Sequence, residues 1–290
     1  MSAETLEQAR QQDRLGRRIQ VLVLVKTTPN PSTSYVDTVC VAGIALSPGP
    51  ARWVRLYPIA FRHLDQGKKF QKYSIVDVEV RQPSSDPRAE SLRVSPESIN
   101  VIEEPGNWVE RHDLILSVPE TTTCTLNAGI RKDANGTSLG IVRPHDVKIE
   151  IQRHRGWSKR QLDALRKWSA QPAFELEGFD HKDAPPLQCP TFQAWYRYRC
   201  TDPDCRGHRQ GILDWELTAV QRRAEHDHAD IEERIRHHFY DKMFKDDRSQ
   251  WFILGNNAEA SKRGSFSVLS VYWPPTKDVK KAEYQSNTLF

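Results

Sequence analysis

The chain has 290 residues, 38% of them hydrophobic and 28% charged, with a formal net charge of +4 and a mean hydropathy of −0.68. That is too apolar for a disordered chain and long enough for one large core or two smaller ones. No apolar run reaches the roughly 18 residues that cross a bilayer. The polar stretch Met1–Arg18 is neither a signal nor a transit peptide, so a cytoplasmic chain with no membrane partner is expected.

Taken in chain order, residues 2–17 read as a polar helix or tail without a wide apolar stripe. Ile19–Lys26 reads as a strand ended by Thr-Thr-Pro-Asn-Pro, and Thr38–Leu46 and Trp53–Tyr57 as the next two, joined by the turn Ser47-Pro-Gly-Pro. Tyr73–Arg81 alternates, with Val76, Val78 and Val80 on one face, as a half-buried strand does. The connections are too short for parallel crossovers, so antiparallel pairing closed into a small barrel is expected. Two short strands within Ser91–Glu103, a helix at Trp108–Leu116 and strands at Ser138–Val142 and Val147–Gln152 follow. Ser158 is a candidate N-cap for a helix over 158–169. The stretch Glu175–Pro190 reads as the least structured connection. Phe192–Arg199 reads as a strand, Asp214–Glu225 and Asp230–Phe244 as helices, and Trp251–Leu254 and Phe266–Trp273 as closing strands before a loose tail. No internal repeat at a fixed period is evident.

The expected fold class is therefore α+β. An antiparallel, OB-like β-barrel half over 19–155 follows the helix or tail of 1–18. A zinc-ribbon-like α+β half occupies 156–275, and 276–290 is a tail.

The sharpest chemical pattern is Cys200-Thr-Asp-Pro-Asp-Cys205-Arg-Gly-His208. It puts three zinc-type donors within nine residues, with turn formers between the cysteines and a glycine that lets the chain fold back before the histidine. Cys189 is the leading candidate for a fourth ligand, with His226 or His228 next and His237 or His238 after them. Cys40 and Cys124 read as small core residues. With no export signal, disulfides are disfavoured and bound Zn is expected. A closed set of four protein ligands would be structural.

Arginines and lysines outnumber acids by eight to three between Arg143 and Lys167, and Arg52–Lys72 is a second basic stretch. Aromatic and basic residues interleave at Arg52-Trp53-Val-Arg55-Leu-Tyr57, at Trp195-Tyr196-Arg197-Tyr198-Arg199 and at His154-Arg155-Gly-Trp157, which leads into Lys159 and Arg160. Stacking rings beside a basic groove are the ingredients of a single-strand binder. Arg52, Trp53, Arg55, Arg153, Arg155, Arg197 and Arg199 are thus the candidate nucleic-acid contacts. On a strand, Arg197 and Arg199 share one face while Tyr196 and Tyr198 share the other.

Cys40-Val-Ala-Gly-Ile44 followed by Trp53-Val-Arg-Leu-Tyr-Pro58 resembles the prokaryotic dual OB-fold domain proteins, over about residues 19–150. The resemblance implies two small β-barrels of a type that often binds single-stranded nucleic acid, in mobile-element or antiphage settings.

The sequence carries no Walker loop, no Gly-x-Gly-x-x-Gly and no Gly-x-Ser-x-Gly. The reading that results is a nucleic-acid-binding accessory or sensing protein with a structural zinc, favoured as non-enzymatic and open to protein partners in the same pathway. One alternative is a metal-dependent nuclease using His208, Asp214 and Glu216, since carboxylates two apart beside a histidine can bind a hard metal. The other is a protein-interaction subunit that binds no nucleic acid.

Overall fold

The computed structural model describes residues 3–29, 31, 38–83, 86–170 and 187–288. The first barrel is built from β1 (Arg17–Lys26), β2 (Val39–Ser47), β3 (Arg52–Ile59), β4 (Ile75–Arg81) and β5 (Ser91–Val94). Its strand order is β1-β2-β3-β5-β4, and β1 pairs again with β4, which closes the ring. All pairs are antiparallel except β3 with β5, which is parallel. That is the five-stranded OB topology. β6 (Asn100–Glu103) adds to the edge of β4.

Gly43 explains part of the Cys-x-Ala-Gly pattern. A Cβ there would sit 2.0 Å from the Leu22 carbonyl oxygen, so only glycine permits this approach of β2 to β1, where β1 bulges between Val23 and Val25. Inside the barrel lie Val21, Val23, Val41, Val54, Val76 and Val78. As the alternation predicts, Val76, Val78 and Val80 point inward.

A connector of two helices, α2 (Trp108–Ile115) and α3 (Thr123–Lys132), leads to a second ring. Its strands are β7 (Leu139–Val142), β8 (Pro144–Arg153), β9 (Phe192–Cys200), β10 (His208–Gly211), β11 (Trp251–Asn256) and β12 (Phe266–Tyr272). β7 and β8 are one bent strand broken at Arg143. β8 pairs with β9, β9 with β10, β12 with β11, and β11 with β7. A parallel bridge from Ile212 to Val268 joins β10 to β12, and Leu213 N–H donates to Val268 O at 2.9 Å. With β7–β8 counted as strand one, this is the same order as the first ring, again with strands three and five parallel. In place between strands three and four are α5 (Trp215–His226) and α6 (Ile231–Arg236), while α4 (Lys159–Ala170) lies between strands one and two.

The expected zinc-ribbon half is thereby corrected. Residues 156–275 do not stand alone, because β9 and β11 hydrogen-bond to β8 and β7 on the other side of residue 155. The Cys/His segment is the β9–β10 turn of a barrel. The connection expected at Glu175–Pro190 lies outside the described residues up to 186.

Three cores hold the molecule together. Each barrel has its own interior, the second filled by residues such as Ile149, Tyr196, Phe252 and Val268 with Phe239 beneath the helices. The third core lies between the barrels. There the outward face of β1–β3 (Leu22, Leu24, Ala42, Ile44, Trp53) meets the outward face of β7, β11 and β12 (Ile141, Trp251, Ile253, Tyr272). Every residue of β11 is buried because both its faces are covered.

Both termini are more ordered than the sequence suggests. Residues expected to be a tail form α7 (Thr276–Thr288), which buries Val279 and Ala282. The polar α1 (Ala3–Leu15) docks through Asp13, which is 1% exposed. Among the described residues no helix is long and apolar enough to cross a membrane.

Candidate functional site

The β9–β10 turn is a knuckle. Cys200 ends β9, Asp202 caps the turn by accepting Asp204 N–H at 3.0 Å, and Gly207 has φ +99°, which returns the chain to His208. Cys205 Sγ accepts from the backbone N–H of Cys200 and of Gly207, each at 3.4 Å. Such N–H donors steady a sulfur that carries negative charge.

Cys124, Cys200, Cys205 and His208 form one group whose donor atoms all lie within 4.8 Å of one another. Cys200 Sγ is 3.7 Å from Cys124 Sγ. His208 Nε2 is 3.6, 3.5 and 3.2 Å from the sulfurs of Cys124, Cys200 and Cys205. Zinc–ligand lengths of about 2.3 Å to sulfur and 2.0–2.1 Å to nitrogen give tetrahedral edges of roughly 3.5–3.8 Å. The donor set therefore fits a metal of the zinc type. Burial and the neighbouring Cys200 push the Cys124 thiol up to about 12. Burial opposes ionisation at Cys200 too, but hydrogen bonds from Asp202 and Cys124 hold that thiol below its usual value. Burial lowers the His208 pKa, which favours the neutral form that ligates.

The fourth position thus belongs to Cys124 on α3, and Cys189 is corrected. Cys189 Sγ lies 3.3 Å from His154 Nδ1 and accepts the backbone N–H of Trp157, so it braces the loop after β8. The Thr-rich surroundings of Cys124 suggest a small core residue, and the fold instead turns its sulfur to the knuckle, 76 residues further along the chain at Cys200. The signal that could have found it is arithmetic: three spaced donors need a fourth, and Cys124 precedes the strand that pairs with the Cys200 strand. His226 and His228 are exposed and lie outside the group.

The basic clusters separate into buried and open ones. Arg52 is fully buried against Asp13, with Nε–Oδ2 at 2.8 Å and Nη2–Oδ1 at 2.7 Å, and Trp53 is buried in the inter-barrel core. Neither can meet a ligand, which corrects both expectations. Their β-strand faces inward because β3 is covered on both sides. Arg55 is also 3% exposed, but it borders a cleft between the barrels. Arg153 is exposed with its guanidinium over Phe192 at 5.3 Å, and Arg155 is exposed beside it.

Arg197 and Arg199 point outward from β9 while Tyr196 and Tyr198 are buried, the division the strand period requires. Register places Lys148 of β8 and Arg209 of β10 on either side of Arg197. Glu150 is the acid among them, ion-paired with Arg197 and with Arg209 at 2.7 Å. Hydrogen bonds from Arg209 and then Arg197 hold its carboxyl below the usual range. The half-buried Trp195 lies under the Arg209 guanidinium at 4.2 Å, and Arg199 Nη2 donates to Cys205 O at 3.1 Å. The basic face is thus hydrogen-bonded directly to the metal knuckle. Arg209, missed in the sequence, joins it through strand pairing.

The hard-metal alternative has no geometry behind it. Asp214 is 7% exposed and caps α5, accepting Glu216 N–H at 3.0 Å. Burial raises its pKa. Glu216 reaches Arg223 at 3.6 Å, and His208 belongs to the cysteine group. Among the described residues the Cys/His group is the one cluster whose donors could hold a metal ion.

No curated protein matches the chain. Among solved structures, a p204 HINb domain is 11% identical over 91% of this chain and 98% of its own, with a TM-score of 0.33. An Ifi202 HINa domain in complex with 20bp dsDNA is 10% identical over 89% of this chain and 96% of its own, with a TM-score of 0.30. Residues 17–117, which hold the first barrel, match the family described as Domain of unknown function (DUF8758). Residues 119–290, which carry α3, the Cys/His group and the second barrel, match another, and the chain belongs to that family, Domain of unknown function (DUF8757).

Proposed function

We propose that this protein binds single-stranded nucleic acid on the outer face of β8–β9–β10, with a structural zinc held by Cys124, Cys200, Cys205 and His208. One observation carries the reading. OB barrels present ligands to their strand-two and strand-three face. In the first barrel that face is covered by the second barrel. In the second barrel it is open and carries Lys148, Arg197, Arg199 and Arg209 around Trp195.

The chemistry is phosphate capture by side chains already extended from a rigid sheet. Glu150 keeps Arg197 and Arg209 oriented. Exposed ion pairs are worth little, so a phosphate can take the place of the carboxylate. Bound zinc would supply structure alone, since four protein ligands leave it no open position. It would hold the turn whose Cys205 carbonyl positions Arg199. A cytoplasmic role in prokaryotic defence or around mobile elements, with protein partners there, is the context the dual OB-fold resemblance implies.

The test is the double variant Arg197→Ala/Arg199→Ala, whose side chains are exposed and whose loss leaves the cores untouched. Its affinity for labelled single-stranded DNA or RNA at low salt should fall about tenfold or more, or about 1.4 kcal/mol. Unchanged affinity in a variant that still folds would remove this face from the reading.

A further inference from the structure

The cleft between the barrels has a volume of about 740 Å³, inside the roughly 300–1,000 Å³ range of small-ligand sites. Corresponding parts of both barrels line it. From the first come residues of the β1–β2 connection, such as Thr28, and of the β4–β5 connection, such as Arg88. From the second come His154 and Trp157 after β8, and Asn257, Ala258, Glu259 and Lys262 between β11 and β12. In OB barrels these two connections are the ones that hold ligands.

Its chemistry is that of a mostly apolar pocket with a few directed cations. Leu92, Ile212 and Leu269 supply apolar wall. Arg55, Arg88, Arg93, Arg160 and Lys262 face it against two carboxylates, Asp86 and Glu259. Both carboxylates are engaged, Asp86 with Arg88 at 2.5 Å and Glu259 with Lys262 at 2.7 Å.

Arg55 stands out. It is 3% exposed and donates to Cys40 Sγ at 3.4 Å and to the Ser138 carbonyl and hydroxyl oxygens at 3.2 Å. Its Nε has no partner among the described residues. The Glu90 carbonyl accepts the Arg55 backbone N–H at 2.7 Å, while the Glu90 carboxylate is taken by the Ser138 backbone N–H at 3.0 Å and hydroxyl at 2.8 Å and makes no ion pair with the guanidinium among the described residues. A buried guanidinium without a direct counter-ion is costly unless an anion completes it. Half-buried Arg93 has no side-chain ion pair or hydrogen bond among the described residues. Across the cleft, Trp157 is held by its backbone N–H on Cys189 and by the neighbouring Gly156 N–H on His154 Nδ1 at 3.0 Å. Its ring stacks on no other among the described residues.

We infer that this cleft binds a nucleoside phosphate, the phosphate against Arg55 and Arg93 and the base against Trp157. Arg55 and Arg93 on the first barrel and a braced indole on the second match a ligand that is anionic at one end and a flat ring at the other. The same group can be a free nucleotide or the phosphorylated end of a strand. The site is separate from the β8–β10 face and does not depend on it.

Calorimetric titration of the full chain tests this with AMP, UMP, adenosine, inorganic phosphate, and a trinucleotide with a 5′-phosphate or a 5′-hydroxyl. A mononucleotide should bind, with adenosine at least about tenfold weaker. Arg93→Ala and Trp157→Ala, both at half-buried positions, should each weaken it about fivefold or more. Arg197→Ala/Arg199→Ala should leave it unchanged, so the two sites fail separately. If mononucleotides do not bind but the 5′-phosphorylated trinucleotide does, with the same loss in both cleft variants, the inference stands and the source is a strand end. Absence of binding by all of these, or binding indifferent to Arg93→Ala or to Trp157→Ala, overturns it.

Discussion

Cys205→Ser, or removal of metal by a strong chelator, is expected to lower the unfolding midpoint of the protein by about 6–20 °C. Metal binding is folding energy because the site is not preformed in the unfolded chain. Here a bound metal would tie α3 of the connector to the β9–β10 turn across 76 residues of sequence, adding to the Thr123–Tyr198 hydrogen bond that already joins them. Without it, three thiols and an imidazole are left crowded within 4.8 Å. Cys205 also loses its role as acceptor for two backbone N–H groups. A loss of about 3–5 kcal/mol gives the stated shift at roughly 2–4 °C per kcal/mol for a unit of this size. The check is metal content together with thermal melting. Wild type should hold one zinc per chain. Cys124→Ser and Cys205→Ser should lose it. Cys189→Ser should keep it, with stability changed by less than about 1 kcal/mol. Zinc retained in Cys124→Ser and lost in Cys189→Ser would contradict the assignment of the fourth ligand.

Asp13→Ala should destabilise the first barrel by about 3–5 kcal/mol, the cost of leaving a buried ion without its partner. The Arg52 side chain has no exposed surface and Asp13 has 2%. Two of the guanidinium nitrogens bond to the carboxylate, and the third donates to the carbonyls of Pro48 and Pro50 at 3.0 and 2.9 Å. Arg17 reaches the same carboxylate at 2.7 Å, so the pair also locks α1 onto β1. Arg52→Met should cost less, because Asp13 keeps Arg17 and methionine fills much of the space. Urea midpoints of the two variants measure the difference. A loss below about 1 kcal/mol in Asp13→Ala would mean that α1 is not docked in solution.

Most strands could be read directly from the sequence, because alternation and turn residues act locally. Val76, Val78 and Val80 point where the period of two puts them, and the Ser47-Pro-Gly-Pro turn joins the strands it separates. The resemblance implies two barrels within about residues 19–150, but the true extent of the second, Leu139–Tyr272, was not legible for three reasons. Its first strand is interrupted at Arg143-Pro144, its second strand begins 39 residues beyond the end of the first at Arg153, and β11 is buried on both faces, so it shows an apolar run instead of alternation. The two barrels repeat in topology and not in sequence period, which leaves no pattern to find. The charged residues mislead in a similar way. Arg52 and Arg197 both flank aromatics, yet one stands on a strand covered on both sides and the other on an open edge sheet. Coverage is a tertiary property that composition does not carry. At the metal site the local triad Cys200, Cys205 and His208 was legible and the distant Cys124 was not. Residues 276–288 hold too few apolar positions among their lysines to announce a helix, and Val279 and Ala282 are buried only because α2 is there to cover them.

If the open basic face contacts phosphates, a salt titration of binding shows it most directly. Fluorescence anisotropy with labelled single-stranded DNA, repeated from low to moderate salt, should give a line of log affinity against log salt with a slope of about −2 to −3. That is the value expected when Lys148, Arg197, Arg199 and Arg209 neutralise three or four phosphates at about −0.7 each. In Arg197→Ala/Arg199→Ala the slope should become shallower by about 1 or more. A slope near zero, or no binding to DNA or RNA at the lowest salt, would contradict the account.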